Sequence, residues 1–244
     1  MRLGLIGGTA LEHLAFDRER RVAVDTHWGA PSAPLVCGQL GAVEVAYLNR
    51  HGERHTIPPH RVNYRANIDA LAAQGVAAIV AVNAVGGITP AMTAGTLVLP
   101  HQLIDYTWGR MQSFCDSDDL PVEHVDFTHP YDPAVRAVLL RAAARADIAL
   151  LDGAVHAVAQ GPRLETAAEV RRLERDGGDI VGMTGMPEAG LARERGIPYA
   201  CLAVVVNPAA GKGTGLITMD EIGQVMAAST PRLLALLAAF CSEF

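Results

Sequence analysis

The chain has 244 residues, 50% of them apolar and 5% aromatic, and its formal net charge at pH 7 is −6. This length suits one large α/β domain or two small ones, and either can bury a substantial core. The sequence contains no basic run and no basic patch interleaved with aromatic residues. We therefore expect no nucleic-acid partner.

The four cysteines lie far apart and lack the spacing of metal ligands. They are typical of reduced thiols, so we expect a cytoplasmic protein. The chain begins directly with a predicted strand, which indicates that there is no signal peptide. The longest apolar runs, residues 77–82 and 199–206, are far too short to span a bilayer, so we expect no membrane contact.

Three predicted strands in the first part of the chain end in residues suited to an anion. Residues 3–6 lead into Gly7-Gly8-Thr9, where glycines let backbone N–H groups approach a ligand. Residues 43–49 are followed by Arg50, whose guanidinium presents a fixed fork to phosphate, and by His51, which can donate beside it. Residues 77–82 lead into Asn83-Ala84. The pattern G-x-G-x-x-G is missing, which argues against a dinucleotide site.

Helices and further strands follow in alternation. A helix is predicted from Pro58 to about residue 74, a short strand at 95–99, and a long irregular segment at 101–131. Asp132 is a predicted N-cap for the next helix. A strand at 154–159 then leads to a helix that Thr166 and Glu169 open with a capping box.

The remaining part of the chain completes the pattern. A short strand at 179–182 ends in Met183-Thr184, and a helix follows from Pro187, so Thr184 lies just before a helix N-terminus. Residues 199–206 form a long apolar strand, predicted to be central in a parallel sheet, and Asn207 follows it. A last helix runs from Thr218 to about residue 240, and Pro231 is expected to kink it.

The carboxyl ends of parallel strands meet at one edge of a sheet, where ligands bind. Hydroxyls, backbone N–H groups and a guanidinium at that edge would form a phosphate cradle, built from Thr9, Arg50, His51, Ala84 and Thr184. Glu165, Met183 and Asn207 would shape an adjoining pocket. The sequence contains no Ser-His-Asp order, H-E-x-x-H or P-loop, so we expect no hydrolase triad, metal or nucleotide hydrolysis.

Several segments, in the same order along nearly the whole chain, resemble the trimeric purine nucleoside phosphorylase and methylthioadenosine phosphorylase family. The segments are Gly7-Gly8-Thr9, Arg50-His51-Gly52, residues 62–67, Asn83–Gly86, Gln160–Arg163 and Gly182–Glu188. The resemblance implies a single phosphorylase domain over residues 1–244, with a three-layer α/β fold in which helices flank a twisted mixed β-sheet. It also implies phosphorolysis of a purine nucleoside, with inorganic phosphate as co-substrate, no cofactor, and a homotrimer.

The resemblance also assigns roles to individual residues. It places the phosphate on Thr9, Arg50, His51, Ala84 and Thr184, with Asn83 where relatives often have a hydroxyl residue. It places Met183 under the ribose and Leu164 against the base, and it includes Pro208 and Ala209 in the substrate pocket. His124 matches a residue that reaches the 5′ pocket of the neighbouring subunit.

Five residues bear on the choice of substrate. Adenine-specific relatives have aspartates at the positions of Asn207 and Ala209, whereas an amide at Asn207 can donate to a 6-oxo group and accept from N7–H. Glu165 matches a glutamate that accepts from N1–H of an oxopurine. Ile217 and Met219 would form an apolar 5′ pocket, and Met219 can pack against a thioether.

The combination of an oxopurine base site with an alkylthio 5′ site predicts S-methyl-5′-thioinosine as the substrate. Asn207 and Glu165 would be the catalytic residues, stabilising negative charge on the leaving purine. Three alternatives stay open: a general inosine and guanosine phosphorylase, a methylthioadenosine phosphorylase, and a non-catalytic nucleoside or phosphate sensor on the same fold.

Overall fold

A computed structural model describes residues 1–8, 11, 16–116 and 122–244. Eleven strands form one mixed sheet. They are β1 (Arg2–Gly7), β2 (Asp17–Val22), β3 (Leu35–Leu40), β4 (Val43–Asn49), β5 (Ala78–Gly87), β6 (Leu97–Leu99), β7 (Gln102–Asp105), β8 (Leu150–Asp152), β9 (Val155–Val158), β10 (Ile180–Gly182) and β11 (Tyr199–Pro208). The helices are a short 3₁₀ turn (Pro59–Arg61), α1 (Tyr64–Ala73), α2 (Pro133–Arg145), α3 (Ala167–Arg175), α4 (Glu188–Glu194) and α5 (Met219–Cys241).

The sheet branches at β5. The first half of β5 pairs in parallel with β1, which in turn pairs in parallel with β4. Along its other edge β5 pairs in parallel with β11, and near its carboxyl end it pairs antiparallel with β10. The carboxyl ends of β1, β4, β5 and β11 therefore meet at one edge, as the sequence predicts.

Helices cover both faces of the sheet, which confirms the predicted three-layer fold. One face carries α2 and α5, whose buried Leu139, Leu236 and Phe240 join a core with residues of β1, β5 and β11. The other face carries α1 and α4, which bury Ile68 and Leu191. Because β5 and β11 are covered on both faces, their sequences are almost continuously apolar.

The predicted helix ends are largely confirmed, whereas some elements differ. Thr166 and Glu169 make the predicted capping box, and the Asp132 side chain caps α2. The helix expected from Pro58 instead begins as a 3₁₀ turn, and α1 starts only at Tyr64, where Asn63 caps it. Strands β2, β3, β7 and β8 were not predicted, because their polar or mixed residues lack a clear apolar pattern. β7 shows that the start of the segment 101–131, expected to be irregular, is a strand.

The last helix, α5, is long and apolar enough to cross a membrane by length and composition alone. Polar and charged residues interrupt its sequence, so it does not appear as a continuous apolar run. Its buried residues include Met226, Leu233 and Leu237, which pack on the sheet core. Packing on the core explains part of the apolar character of this helix, of whose apolar window 39% is buried.

Candidate functional site

A cavity of about 410 Å³ opens at the carboxyl edge of the sheet. Four of the residues predicted to bind phosphate line it, namely Arg50, His51, Ala84 and Thr184. Seven residues predicted to bind or select the nucleoside also line it, namely Leu164, Glu165, Met183, Asn207, Ala209, Ile217 and Met219. The tertiary structure thus brings together residues that are up to about 170 positions apart in sequence.

Two of the predicted residues do not line the cavity, and a third is not described. Thr9 falls outside the described residues. Pro208 is not among the residues that line the cavity, although its carbonyl accepts a 2.6 Å hydrogen bond from the Asn207 side chain. His124 is exposed and does not line the cavity of its own chain. Its predicted role in a neighbouring subunit stays a prediction.

Arg50 is buried, and its guanidinium is held by a carboxylate that the sequence reasoning overlooked. Nε and Nη2 each donate to Glu188 at 2.8 Å, forming a bidentate ion pair whose two side chains are 2% and 0% exposed. Nη1 donates to the Val82 carbonyl and Nη2 also to Asn83. These contacts use four of the five N–H groups of a guanidinium, so one N–H remains for a ligand.

The ion pair determines the charge state of Arg50. Burial alone would lower the pKa of the guanidinium, but the attraction and hydrogen bonds of Glu188 outweigh it and raise the pKa above its usual value. The Tyr199 hydroxyl donates at 2.8 Å to Oε1 of Glu188, the oxygen that also accepts from Nη2 of Arg50. Arg50 is therefore a fixed cation whose fork faces Glu188, rather than a free fork for phosphate as the sequence predicts.

Asn83 connects Arg50 to Thr184. Because a guanidinium can only donate, the oxygen of the Asn83 amide faces Arg50, and its nitrogen donates to the Thr184 hydroxyl oxygen at 2.9 Å. Thr184 is 7% exposed. Its hydroxyl oxygen accepts from Asn83, so its proton is free to be donated into the cavity.

A gap in the strand pairing exposes the backbone near Ala84. The ladder of β5 with β1 ends at Ala81, and its ladder with β10 begins at Gly86. Within this gap the Val82 carbonyl accepts from Arg50. Backbone groups alternate between the two edges of a strand, so the N–H of Ala84 points to the same edge as the Val82 carbonyl. This geometry supports the backbone contact predicted for Ala84.

His51 has a defined tautomer. Its Nδ1 lies 2.8 Å from the Ile57 carbonyl oxygen, which can only accept, so Nδ1 carries a proton. Burial and the charge of Arg50 lower the pKa of His51 to about 4. At neutral pH the imidazole is therefore uncharged, and its Nε2 is an acceptor. The sequence reasoning had expected His51 to donate.

A bulge in β11 positions Asn207. The register of β11 against β5 skips Val206, so Asn207 lies opposite Gly86. Bulges next to a site redirect a side chain. Glu165 lines the same cavity, and burial raises its pKa, which makes its carboxylate a stronger hydrogen-bond acceptor.

Met183 is positioned by its neighbours. Gly161 has φ of 62°, and a Cβ there would lie 2.5 Å from the Met183 sulfur, so a glycine is needed for the methionine to pack. Arg110, which is 8% exposed, donates to the carbonyls of Met183 and Met186 and to that of Gln160. Arg110 thus joins the two loops that surround the pocket.

Part of the cavity lining is apolar. Ile217 and Met219 line it together with Ile222 and Met226 of α5. Met219 is 73% exposed in the single chain. Among the described residues, no group of three or more His, Cys, Asp or Glu side chains could hold a metal ion.

The sequence reasoning missed Glu188, Tyr199 and Arg110, and it left the side-chain role of Asn83 undecided. Glu188 was quoted only as part of a family segment, and Arg110 lies in the segment predicted to be irregular. Glu188 offered no local signal, because its partners Arg50 and Tyr199 lie in other elements. Arg110 offered no local signal, because its partners come from three separate segments.

Comparison with known proteins defines the class of enzyme. The model of the Phosphorylase superfamily matches residues 2–242. The chain belongs to this superfamily. Its mixed sheet and flanking helices match those of a methylthioadenosine phosphorylase from Schistosoma mansoni in complex with adenine. The two chains superpose with a TM-score of 0.93 at 29% identity, over 99% of this chain and 91% of the other.

Two relatives found by sequence share a higher identity with this chain than that structure does. A probable S-methyl-5′-thioinosine phosphorylase from Xylella fastidiosa is 54% identical over 222 residues, which cover 90% of each chain. A 6-oxopurine nucleoside phosphorylase from Pyrococcus furiosus is 41% identical over 230 residues, 92% of this chain and 86% of the other.

Proposed function

We propose that the protein cleaves S-methyl-5′-thioinosine with inorganic phosphate, giving hypoxanthine and 5-(methylthio)ribose 1-phosphate. The observation that carries the proposal is that polar and apolar residues line the same cavity. An amide and a carboxylate suited to a 6-oxopurine, Asn207 and Glu165, share it with the apolar Ile217 and Met219. The relatives named for this substrate agree with the proposal.

The mechanism we propose is dissociative. The glycosidic bond breaks early, and C1′ becomes oxocarbenium-like. Asn207 and Glu165 stabilise the negative charge that develops on the purine, while phosphate attacks C1′. The phosphate is held by the five predicted ligands, Thr9, Arg50, His51, Ala84 and Thr184. Preorganised dipoles and positioning then supply the rate enhancement, with no covalent enzyme intermediate.

The preference for a 6-oxopurine over adenine rests on the hydrogen-bonding groups that adenine would leave without partners. Adenine lacks the N1–H that Glu165 would accept from, and it presents an amino group where Asn207 would donate. A site built to hydrogen-bond one substrate group rejects an analogue that lacks it by about 10⁴-fold. The preference for the 5′ group rests on apolar packing, which discriminates by only about 10–200-fold.

The experiment is phosphate-dependent base release from three nucleosides, S-methyl-5′-thioinosine, S-methyl-5′-thioadenosine and inosine, compared by kcat/KM. We expect the first to be preferred. A preference for inosine would overturn the 5′ assignment, and the 41% identical oxopurine enzyme makes this the second candidate. A preference for thioadenosine would overturn the base assignment, and no release from any of them would favour a sensor.

We also propose that the protein acts as a cytoplasmic homotrimer. His124 would then reach the 5′ pocket of the neighbouring subunit, and a partner chain would cover the exposed Met219. Sedimentation equilibrium at micromolar concentration should give three times the chain mass of 25.8 kDa. A stable, fully active monomer would contradict this part of the proposal.

A further inference from the structure

We propose that the anion subsite selects an anion carrying an acidic proton, hydrogen phosphate rather than sulfate, because His51 accepts a hydrogen bond from the P–OH group. The inference rests on the proposed function, in which phosphate is the co-substrate. It assigns His51 a role in anion specificity as a hydrogen-bond acceptor, whereas the sequence predicts a donor.

The hydrogen bond to Ile57 carries the inference. A carbonyl oxygen cannot donate, so the 2.8 Å contact shows that Nδ1 carries a proton. Burial and the nearby Arg50 lower the pKa of His51 to about 4, so the ring of the free protein is neutral at pH 7.5 and Nε2 keeps a lone pair. The Cδ2 edge of the ring lies beside the Gly8 loop, since a Cβ at Gly8 would meet Cδ2 at 3.3 Å. Both Gly8 and His51 line the cavity. Among the described residues, none forms a hydrogen bond with Nε2.

The other groups of the subsite donate. Asn83 donates to Thr184, which leaves the threonine proton for the anion. The N–H of Ala84 faces the gap in the ladder, and Arg50 retains one N–H beyond its contacts with Glu188, Val82 and Asn83. Of the described residues, Thr184, Ala84 and Arg50 thus offer donors to the subsite, and His51 offers an acceptor.

That combination matches hydrogen phosphate and mismatches sulfate. At neutral pH inorganic phosphate retains at least one P–OH group, which needs an acceptor, while its other oxygens accept. Sulfate has no proton, so one of its oxygens would face the lone pair of Nε2. A hydrogen-bonding group left without a partner in a buried site weakens binding.

The test is calorimetric titration of the free protein with sodium phosphate and with sodium sulfate at pH 7.5 and equal ionic strength. We expect phosphate to bind at least about 10-fold more tightly, the size of effect that one unsatisfied partner produces. Equal affinity for the two anions in the unaltered protein would overturn the inference. That result would stand even if a His51 variant failed to fold.

Two variants locate the effect. In His51→Ala the acceptor is lost, so the preference for phosphate should fall to about 2-fold or less. In His51→Gln the amide oxygen can accept, so most of the preference should return. His129→Ala, which changes an exposed histidine outside the cavity, is the control and should keep it. An unchanged preference in a folded His51→Ala protein would also overturn the inference.

These outcomes are separable from failure of the proposed function. The titrations involve no nucleoside and no turnover. A protein that prefers phosphate over sulfate but releases no base would refute the proposed reaction and leave the role of His51 intact.

Discussion

At the scale of single residues, the position of Asn207 depends on a bulge. Val206 is skipped in the register of β11 with β5, so the amide emerges opposite Gly86 at the cavity. One of its N–H groups is bonded to the Pro208 carbonyl, which leaves the second N–H and the oxygen for a base. This arrangement is enough for the two contacts that the proposed mechanism requires.

Asn207→Ala should lower kcat/KM for S-methyl-5′-thioinosine by about 10²–10³, the usual cost of removing one transition-state donor. The reason is that negative charge on the leaving purine loses its partner. Steady-state kinetics at saturating phosphate measures the loss, and circular dichroism checks the fold. Turnover close to that of the unaltered protein would remove Asn207 from the mechanism.

The carboxyl group of Glu165 should control the acid limb of the pH profile. Burial raises its pKa, so protonation begins at a higher pH than for an ordinary glutamate. A protonated carboxyl cannot accept from N1–H, and kcat/KM should therefore fall as the pH decreases through this raised pKa. Glu165→Gln should lose this limb and have lower activity throughout. A profile that is the same in both proteins would contradict the assignment.

At the scale of elements, the buried pair of Arg50 and Glu188 joins β4 to α4. The Tyr199 hydroxyl adds β11 to the same carboxylate. Removing one partner of a buried pair leaves an uncompensated charge, whereas exposed pairs contribute little. The pair therefore maintains both the fold and the orientation of the anion subsite.

Glu188→Gln should lower the free energy of unfolding by about 3–5 kcal/mol, because the charge of Arg50 stays buried without its counterion. The matched control is Asp152→Asn, which breaks the pair with Arg136 where the aspartate is 57% exposed. That change should cost about 1 kcal/mol or less. Urea unfolding measures both, and similar losses in the two variants would contradict the argument.

At the scale of the whole molecule, the cavity lies where β4, β5, β10 and β11 end. A ligand there contacts segments from across the sequence and binds only when all of them are folded. Ligand binding should therefore stabilise the entire sheet against unfolding.

Phosphate at about 100 times its dissociation constant should raise the melting temperature by roughly 5–10 °C, because ligand linkage then adds about 2.7 kcal/mol in a protein of this size. Differential scanning fluorimetry measures the shift, with sodium chloride at equal ionic strength as the control. Thr184→Ala removes a donor and should reduce the shift. The same shift with chloride would show that no specific anion site exists.

The local sequence was sufficient to predict several elements of the fold. The apolar runs predicted the central strands β5 and β11, and Thr166 and Asp132 marked the starts of α3 and α2. Strand-end residues were predicted to converge, and the cavity contains four of the five proposed phosphate ligands, while Thr9 lies outside the described residues. These predictions worked because periodicity, caps and strand ends are properties of neighbouring residues.

The sequence by itself thus determined the class of fold, the family and the residue types around the cavity. Only the tertiary structure decided that Glu188 holds the fork of Arg50 and that Ile57 sets the tautomer of His51. It also decided that Arg110 joins two loops. Each of these contacts joins backbone or side-chain groups from different elements. Their hydrogen-bond directions and pKa values depend on burial and neighbours, which only the folded chain brings together.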